Sequence, residues 1–419
     1  MIKNDLKGKK VAALVSGGLD STTIIKWLSS GGVKITAIVV DVGQSDEKNL
    51  NDVVRRMKAA GAEEAIVVDG KKVLAEFMTR VIQGLAHHEG GYMNTTGIAR
   101  MATVSAALPE IKKRGIKVIT HGATGRGNDQ VRFELATAML APEIKVYAPW
   151  RDPEFIQELG GRKEMIEFCR KHGLKVSATI KKPYSTDSNF CGLTHEAGKL
   201  ESLNTPTDFA DFAMGISPQK APDKGEKIVI KFNKGVPVSI NGKPSNLIEI
   251  FMRCNRIAGR NGIGIGIDVV ENRRVGIKSR GVYESPGVTL LEDAYSRILQ
   301  LILDREHRKF FDVISRKLAD VVYEGEWFSP LAEDLLAVVK NISLLATGTV
   351  TLNLYKGNIQ FLKIDGVPHS LYNQEHSSME KVGDFNHVDS QGYLNIAGLM
   401  ARTLSVTGQC RIKKERGVK

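Results

Sequence analysis

Apolar runs of strand length, VAALV, ITAIVVDV, AIVVD, KVITHGA and IKVYAPW, recur between residues 11 and 150, separated by segments of helical period. Runs that are apolar throughout, without alternation, predict strands buried on both faces of a parallel sheet, with the connecting helices laid over it. The fold class expected for this half is α/β, doubly wound. The connecting segments carry ordinary helix signals. Ser45 reads as an N-cap with Asp46 and Glu47 in the first turn and Gly61 beyond the last. In NTTGIARMATVSAALPEIKKRG the period runs toward Gly115, and Pro109 is expected to kink that helix or divide it.

The pattern changes after about residue 180. IVIKFNKGVPVSING alternates through Ile228, Ile230 and Phe232, then Val236, Val238 and Ile240, around a glycine turn, which predicts an antiparallel hairpin. A capped helix ending near Gly259 follows. A helical stripe then runs through Leu291, Ala294, Ile298 and Leu301 and on through Phe310, Ile314, Leu318 and Val321. Ser329 and Pro330 open another helix, and TVTLNLYKGNIQFLKI reads as a second hairpin. Beyond residue 375 the chain is polar and aperiodic until GYLNIAGLMARTLS. The expected organisation is a nucleotide-binding domain over 1–178, a second α+β domain over 179–375 and an arm over 376–419.

At 419 residues the chain exceeds what one hydrophobic core usually serves, in keeping with that division. With 42% hydrophobic and 25% charged residues it reads as an ordinary globular protein. A net charge of +12 suits either nucleic acid or pockets for small anions. Its densest basic run is the terminal RIKKERGVK, read as a solvated tail. Cys169, Cys191, Cys254 and Cys410 form no C-x-x-C pair, which argues against a zinc ribbon or redox motif and for thiols in a reducing compartment. His87, His88, His307 and His369 lack metal-ligand spacing, and no protein-held metal is expected. MIKNDLKGKK has no apolar leader core, and no apolar run approaches the ~18 residues of a membrane span. A cytoplasmic enzyme without membrane or nucleic-acid partners is expected.

Two loops carry the chemistry. In SGGLDST a strand ends at Ser16, two glycines let the backbone turn closely, and a helix over 21–28 is expected to point its free amides into the loop. Such a helix start is an anion site, to which Ser16 and Ser21 add hydroxyls. The lysine and spacing of a G-x-x-x-x-G-K-[ST] loop are missing, so a different phosphate geometry is implied. HGATGRGNDQVRFE lies where an open α/β sheet exposes its crevice. Its helix presents Asn128, Asp129 and Arg132 in the first turns. The arginine fork suits a carboxylate and Asp129 an ammonium, so an amino acid is the expected ligand.

The first loop resembles the signature of the PP-loop ATP-pyrophosphatases, which cleave ATP between the α and β phosphates. With GATGRGNDQVRFE, YMNTTGIAR, YSTDSNF, NRIAGRNGIG, VENRRVGIKSRGVYESPG, VYEGEWFSP and TGTVTLNLYKGN, the chain resembles the argininosuccinate synthase family over about residues 11–360, with LGGRKEMIEF and THEAGKLESLN similar to its longer bacterial branch. That resemblance implies condensation of citrulline with aspartate, driven by ATP, to argininosuccinate, AMP and pyrophosphate through an adenylated citrulline. It implies Ser16, Gly17, Gly18, Asp20, Ser21 and Gly122 at ATP, with Mg²⁺ carried on the phosphates. It implies Thr95, Thr124, Asn128 and Asp129 at aspartate, and Tyr92, Thr96, Asn128, Arg132, Ser185, Thr194, Glu271 and Tyr283 at citrulline. Asn128, Asp129 and Arg132 are the expected catalytic group, with Asp129 a candidate to orient or deprotonate the amine, and a homotetramer joined by C-terminal arms is implied. The loop reads DST where many members have DTS, and THEAG departs from the usual version around Thr194. A tRNA-thiolating or deazapurine-nitrile synthetase shares SGGLDS, but would call for clustered cysteines or an RNA module.

Overall fold

The computed structural model describes residues 2–45, 47, 49–175, 184–380 and 386–410. The five apolar runs form the strands β1 (Lys10–Leu14), β2 (Lys34–Asp41), β3 (Glu64–Asp69), β4 (Val118–His121) and β5 (Lys145–Tyr147). All pair in parallel, in the order β3-β2-β1-β4-β5. Helices α1 (Leu19–Ser30), α2 (Leu50–Ala59), α3 (Lys71–Gln83), α4 (Thr95–Lys113) and α5 (Asp129–Leu140) connect them, and α6 (Pro153–Leu159) and α7 (Arg162–Lys171) follow β5. The chain winds outward from β1 to β3, then returns to place β4 on the other side of β1. The carboxyl ends of β1 and β4 therefore flank the switch point, where such sheets open a crevice.

Local details depart from the sequence pattern. The outer strand β3 has one open face, with Val67 40% exposed. Helix α2 starts at Leu50, capped by the Asn49 side chain on Asn51 N–H, and not at Ser45. The Ser45 amide instead donates to Ser188 Oγ and Glu47 pairs with Arg56, which ties the segment down as a loop; Asp46 lies outside the described residues. Helix α4 runs undivided through Pro109, held by the buried Val104, Ala107, Leu108 and Ile111 around it. Helix α1 begins at Leu19, so Asp20 sits in its first turn.

The second half contributes two antiparallel sheets. One joins β6 (Ser185–Asn189) and β7 (Gly192–Glu196) to β11 (Ile265–Asn272) and β12 (Lys278–Glu284), in the order β11-β12-β7-β6. The other joins β8 (Glu226–Asn233), β9 (Val236–Ile240) and β10 (Lys243–Pro244) to β13 (Gly348–Tyr355) and β14 (Asn358–Asp365), so both expected hairpins share one sheet. A register shift opposite Lys231 and Phe232 turns Pro237 and Ser239 inward on β9, leaving Val236 and Val238 only half-buried. Helices α8 (Leu247–Arg260), α9 (Pro286–Ile302), α10 (Arg305–Glu324) and α11 (Pro330–Ser343) pack alongside. Ser329 caps α11 through Ala332 N–H. On α10 the stripe passes through Phe311, fully buried, while Phe310 is 50% exposed. One apolar cluster runs from Ile38 and Met101 through Phe190 and Phe251 to Leu352, so the two halves share a core.

The chain divides into two compact units, 1–369 and 370–419. In the second, α12 (His387–Val406) buries none of its residues and exposes Tyr393, Leu394, Ile396, Leu399 and Met400. The basic run 411–419 lies outside the described residues. No helix among the described residues is long and apolar enough to cross a membrane.

Candidate functional site

A cavity of about 220 Å³ opens at the switch point. Its floor comes from Asp20 at the start of α1 and from the segment after β4, its side from the start of α5, and its far wall from the sheet of β7, β11 and β12.

In the turn beside the floor, Gly17 holds φ at +85°, and a Cβ there would lie 2.6 Å from Val53 Cγ1 and 2.7 Å from Arg56 Nη2. Only glycine takes that conformation beside those neighbours without strain. Gly18 is the N-cap of α1 and provides no side chain, so amides of the first turn remain for a ligand. The Ser21 hydroxyl accepts from the Ser16 amide at 3.2 Å and lies 3.4 Å from the Ser16 hydroxyl, bracing the turn. Asp20 lines the cavity and accepts from Trp150 Nε1 at 3.1 Å, and burial pushes its carboxyl above the usual range. Across from it, Gly122 leaves the β4 end open; a Cβ there would meet Asp20 Cβ at 3.4 Å.

His121 closes β4 and is buried against Phe133. Its Nδ1 accepts the Ala123 amide at 3.2 Å, and burial lowers its pKa to about 4, so the ring is neutral. Asn128 accepts the Arg274 amide at 3.0 Å, which seats the turn between β11 and β12 against this loop.

The side of the cavity is a chain of charges. Asp129 accepts from Arg132 Nη1 at 2.7 Å and from Arg100 Nε at 2.9 Å, and Arg100 also bonds Asp187. Burial by itself raises the Asp129 pKa, but the Arg100 and Arg132 guanidinia outweigh it and hold the carboxyl down at about 2. A carboxylate so held stays ionised and is a weak base. Arg132 spends Nη1 on Asp129 and Nε on the Tyr323 carbonyl at 2.9 Å. Its Nη2 is buried with no partner among the described residues, so one corner of the fork, not both, is left for a ligand.

On the far wall Glu271 accepts from Tyr283 and, from behind the wall, Tyr323, one on each carboxylate oxygen. Tyr92 stacks on Tyr283 at 4.1 Å, and its hydroxyl accepts the Thr96 and Gly97 amides at 3.1 and 3.4 Å, capping α4. Burial raises the Tyr92 pKa to about 12, so it remains a phenol. Thr96 and Thr194 join hydroxyls at 2.8 Å.

Of the residues expected from sequence, Asp20, Tyr92, Thr96, Gly122, Thr124, Asn128, Asp129, Arg132, Thr194, Glu271 and Tyr283 line this one cavity. Ser16, Gly17, Gly18 and Ser21 form the adjoining turn. Thr95 and Ser185 are not among the walls. Thr95 is buried behind Gly192, and Ser185 is exposed at the start of β6. Asp187, two residues on and so on the same strand face, is a wall instead, as are Glu196 and Arg273, which pair at 3.1 Å. All three fall inside strings already marked as family-like, as does Arg100, the last residue of YMNTTGIAR and one helical turn from Thr96, though none of the four was singled out.

A doubly wound sheet with an anion-binding turn opening onto a charged cavity defines a nucleotide-using enzyme that takes small polar substrates. Family models agree: residues 10–175 match the "Arginosuccinate synthase N-terminal HUP domain" and residues 184–404 the "Arginosuccinate synthase C-terminal domain". The chain is 41% identical over 396 residues to an argininosuccinate synthase of Rhodopirellula baltica, covering 94% of this chain and 97% of that one. It is 42% identical over 398 residues to the enzyme of Thermoanaerobacter pseudethanolicus, covering 94% and 95%. It is 38% identical over 397 residues to that of a Thermotoga strain, covering 93% and 96%. The chain belongs to the argininosuccinate synthase family, and is thus an ATP-dependent ligase of arginine biosynthesis.

Proposed function

We propose that this chain joins citrulline to aspartate, forming argininosuccinate, AMP and pyrophosphate by way of a citrulline adenylated on its ureido oxygen. The observation that carries this reading is a single cavity lined by Asp20, which follows the phosphate turn, by the α5 charge chain and by the Glu271 wall. The ureido carbon is a poor electrophile because two nitrogens donate into it, and its oxygen is a poor leaving group. Transfer of AMP to that oxygen, with release of pyrophosphate, corrects both. The aspartate amine then attacks the carbon, and AMP leaves.

In this scheme the turn of Ser16, Gly17, Gly18 and Ser21 receives the departing pyrophosphate on backbone amides, with Gly122 beside the nucleotide. Thr124, Asn128 and Asp129 hold aspartate, with Asp129 drawing its ammonium. Tyr92, Thr96, Thr194, Glu271 and Tyr283 hold citrulline, whose carboxylate takes the open Nη2 of Arg132. Thr95 and Ser185 belong to these groups only if substrate binding draws the walls inward. The one acidic side chain at the turn, Asp20, fits a magnesium ion that is mostly held by phosphate oxygens, since that ion takes one or two carboxylates plus phosphates. Such an ion would neutralise charge on the leaving pyrophosphate. Catalysis is then positioning and electrostatics, with no covalent enzyme intermediate. The bare apolar side chains of α12 support assembly into a cytoplasmic tetramer through this arm.

Pyrophosphate release from ATP and Mg²⁺ tests the reading: it should require citrulline, and argininosuccinate should form only when aspartate is also present. No release with both amino acids present overturns it.

A further inference from the structure

Tyr323 lies outside the cavity walls, yet it touches two of them. Its carbonyl takes Arg132 Nε at 2.9 Å and its ring lies under the same guanidinium, 5.0 Å from Cζ. Its hydroxyl donates to Glu271. Arg132 stands on α5 beside the parallel sheet, and Glu271 on β11 of an antiparallel sheet. No other residue in this cluster bonds both.

The residue is itself held. It is 2% exposed near the end of α10, and His88 stacks on its ring at 3.7 Å and 10°. Two residues on, Gly325 caps α10 at φ +85°, where a Cβ would sit 2.9 Å from Arg132 Cα, so the helix end is seated directly on α5. Burial, and then the neighbouring Glu271 carboxylate, raise the Tyr323 pKa well above the usual phenol value, so the hydroxyl keeps its proton as a donor.

We infer that Tyr323 is a positioning residue for citrulline: it fixes the Glu271 carboxylate and the Arg132 fork at one separation, so that the two ends of citrulline meet pre-set partners. Two phenol donors on Glu271 fix the plane of its carboxylate, and with Nη1 and Nε of Arg132 both engaged, only Nη2 can turn to a substrate. This rests on the citrulline reading above. In that scheme aspartate and ATP meet neither Glu271 nor the Tyr323 hydroxyl, so the effect belongs to one substrate.

The test is steady-state kinetics of Tyr323→Phe for each substrate in turn, with thermal unfolding alongside. Loss of one hydrogen bond to a charged group should raise KM for citrulline about ten-fold, with KM for ATP and aspartate unchanged. Tyr323→Leu, which also removes the ring beneath Arg132, should raise it further. A citrulline KM equal to wild type in Tyr323→Phe overturns the inference. So does a fall in kcat with all three KM values unchanged, or an equal rise in all three, since a structural role would produce either. Failure of the citrulline reading itself looks different: the wild-type chain would release no pyrophosphate in response to citrulline.

Discussion

The phosphate turn and the amino-acid wall face the same cavity but are built from different materials. At the turn, Gly17 and Gly18 present backbone and the nearby hydroxyls of Ser16 and Ser21 bond each other. At the wall, Asp187, Arg100, Asp129 and Arg132 form a line of alternating charge, and Glu271 is held between two phenols. Backbone amides are fixed by the fold and indifferent to pH. A buried charge chain depends on each member, because removing one leaves its neighbours uncompensated. The turn should therefore fail by addition of atoms, and the wall by their removal.

The largest effect is expected at Asp129. Asp129→Asn keeps the shape and leaves Arg132 without its carboxylate, which costs about 3–5 kcal/mol. Citrulline- and aspartate-dependent turnover should fall at least about a hundred-fold, with a lower melting temperature. Turnover within ten-fold of wild type would break the contrast.

Acid should come next. The unfolded chain protonates His121 near 6.5 and the native chain only near 4, so between those values the unfolded state binds the extra proton. Stability from this residue is complete above pH 6.5 and is lost as pH falls toward 4, about 3 kcal/mol in all. The depressed Asp129 follows the same sign lower down: its contribution is full above about pH 4 and fades toward pH 2. Urea unfolding across pH 7 to 4 measures the first window. His121→Asn, whose amide oxygen can still accept the Ala123 amide, should flatten it; an unchanged slope would assign the acid loss elsewhere.

The smallest is Gly17→Ala. A methyl at φ +85° costs about 1–2 kcal/mol, and the contact with Val53 pushes the turn outward. KM for ATP should rise about ten-fold while KM for citrulline stays put. An unaltered ATP KM would mean the turn is not held by its backbone.

The same difference explains what could be read from sequence. The turn is a contiguous string between a strand and a helix, and its residues mean the same thing in the chain as in the fold. So do the five parallel strands, whose unbroken apolar runs reflect burial on both faces, β3 excepted. The wall is assembled from Tyr92, Asp187, Thr194, Glu271 and Tyr283, far apart in sequence, and of these only resemblance to a family joined Tyr92, Thr194, Glu271 and Tyr283. Resemblance pointed to Ser185 where Asp187 forms the wall, because a matched string does not say which of two residues on the same face of β6 reaches the cavity. Arg100 and Tyr323 lay inside YMNTTGIAR and VYEGEWFSP but received no role for a related reason: each acts through contacts to residues from other elements. Phe310 and Phe311 could not be told apart by a helical stripe that drifts by one position, and Ser45 lost its cap to Asn49 through a distant bond to Ser188.

The pairing of β8 with β13, which sets Ile230 opposite Val350, bears on the order in which the protein comes off a ribosome. The parallel sheet is complete once Tyr147 has emerged, and can collapse while synthesis continues. Strand β8 must wait, its edge open, until more than a quarter of the chain has been added and β13 arrives. The nucleotide turn has emerged long before that interval begins, whereas Glu271 and Tyr323 emerge only within it. The ability to grip phosphate thus arises before the ability to select what it is used on, and the unpaired edge of β8 is where a chaperone would have most to protect.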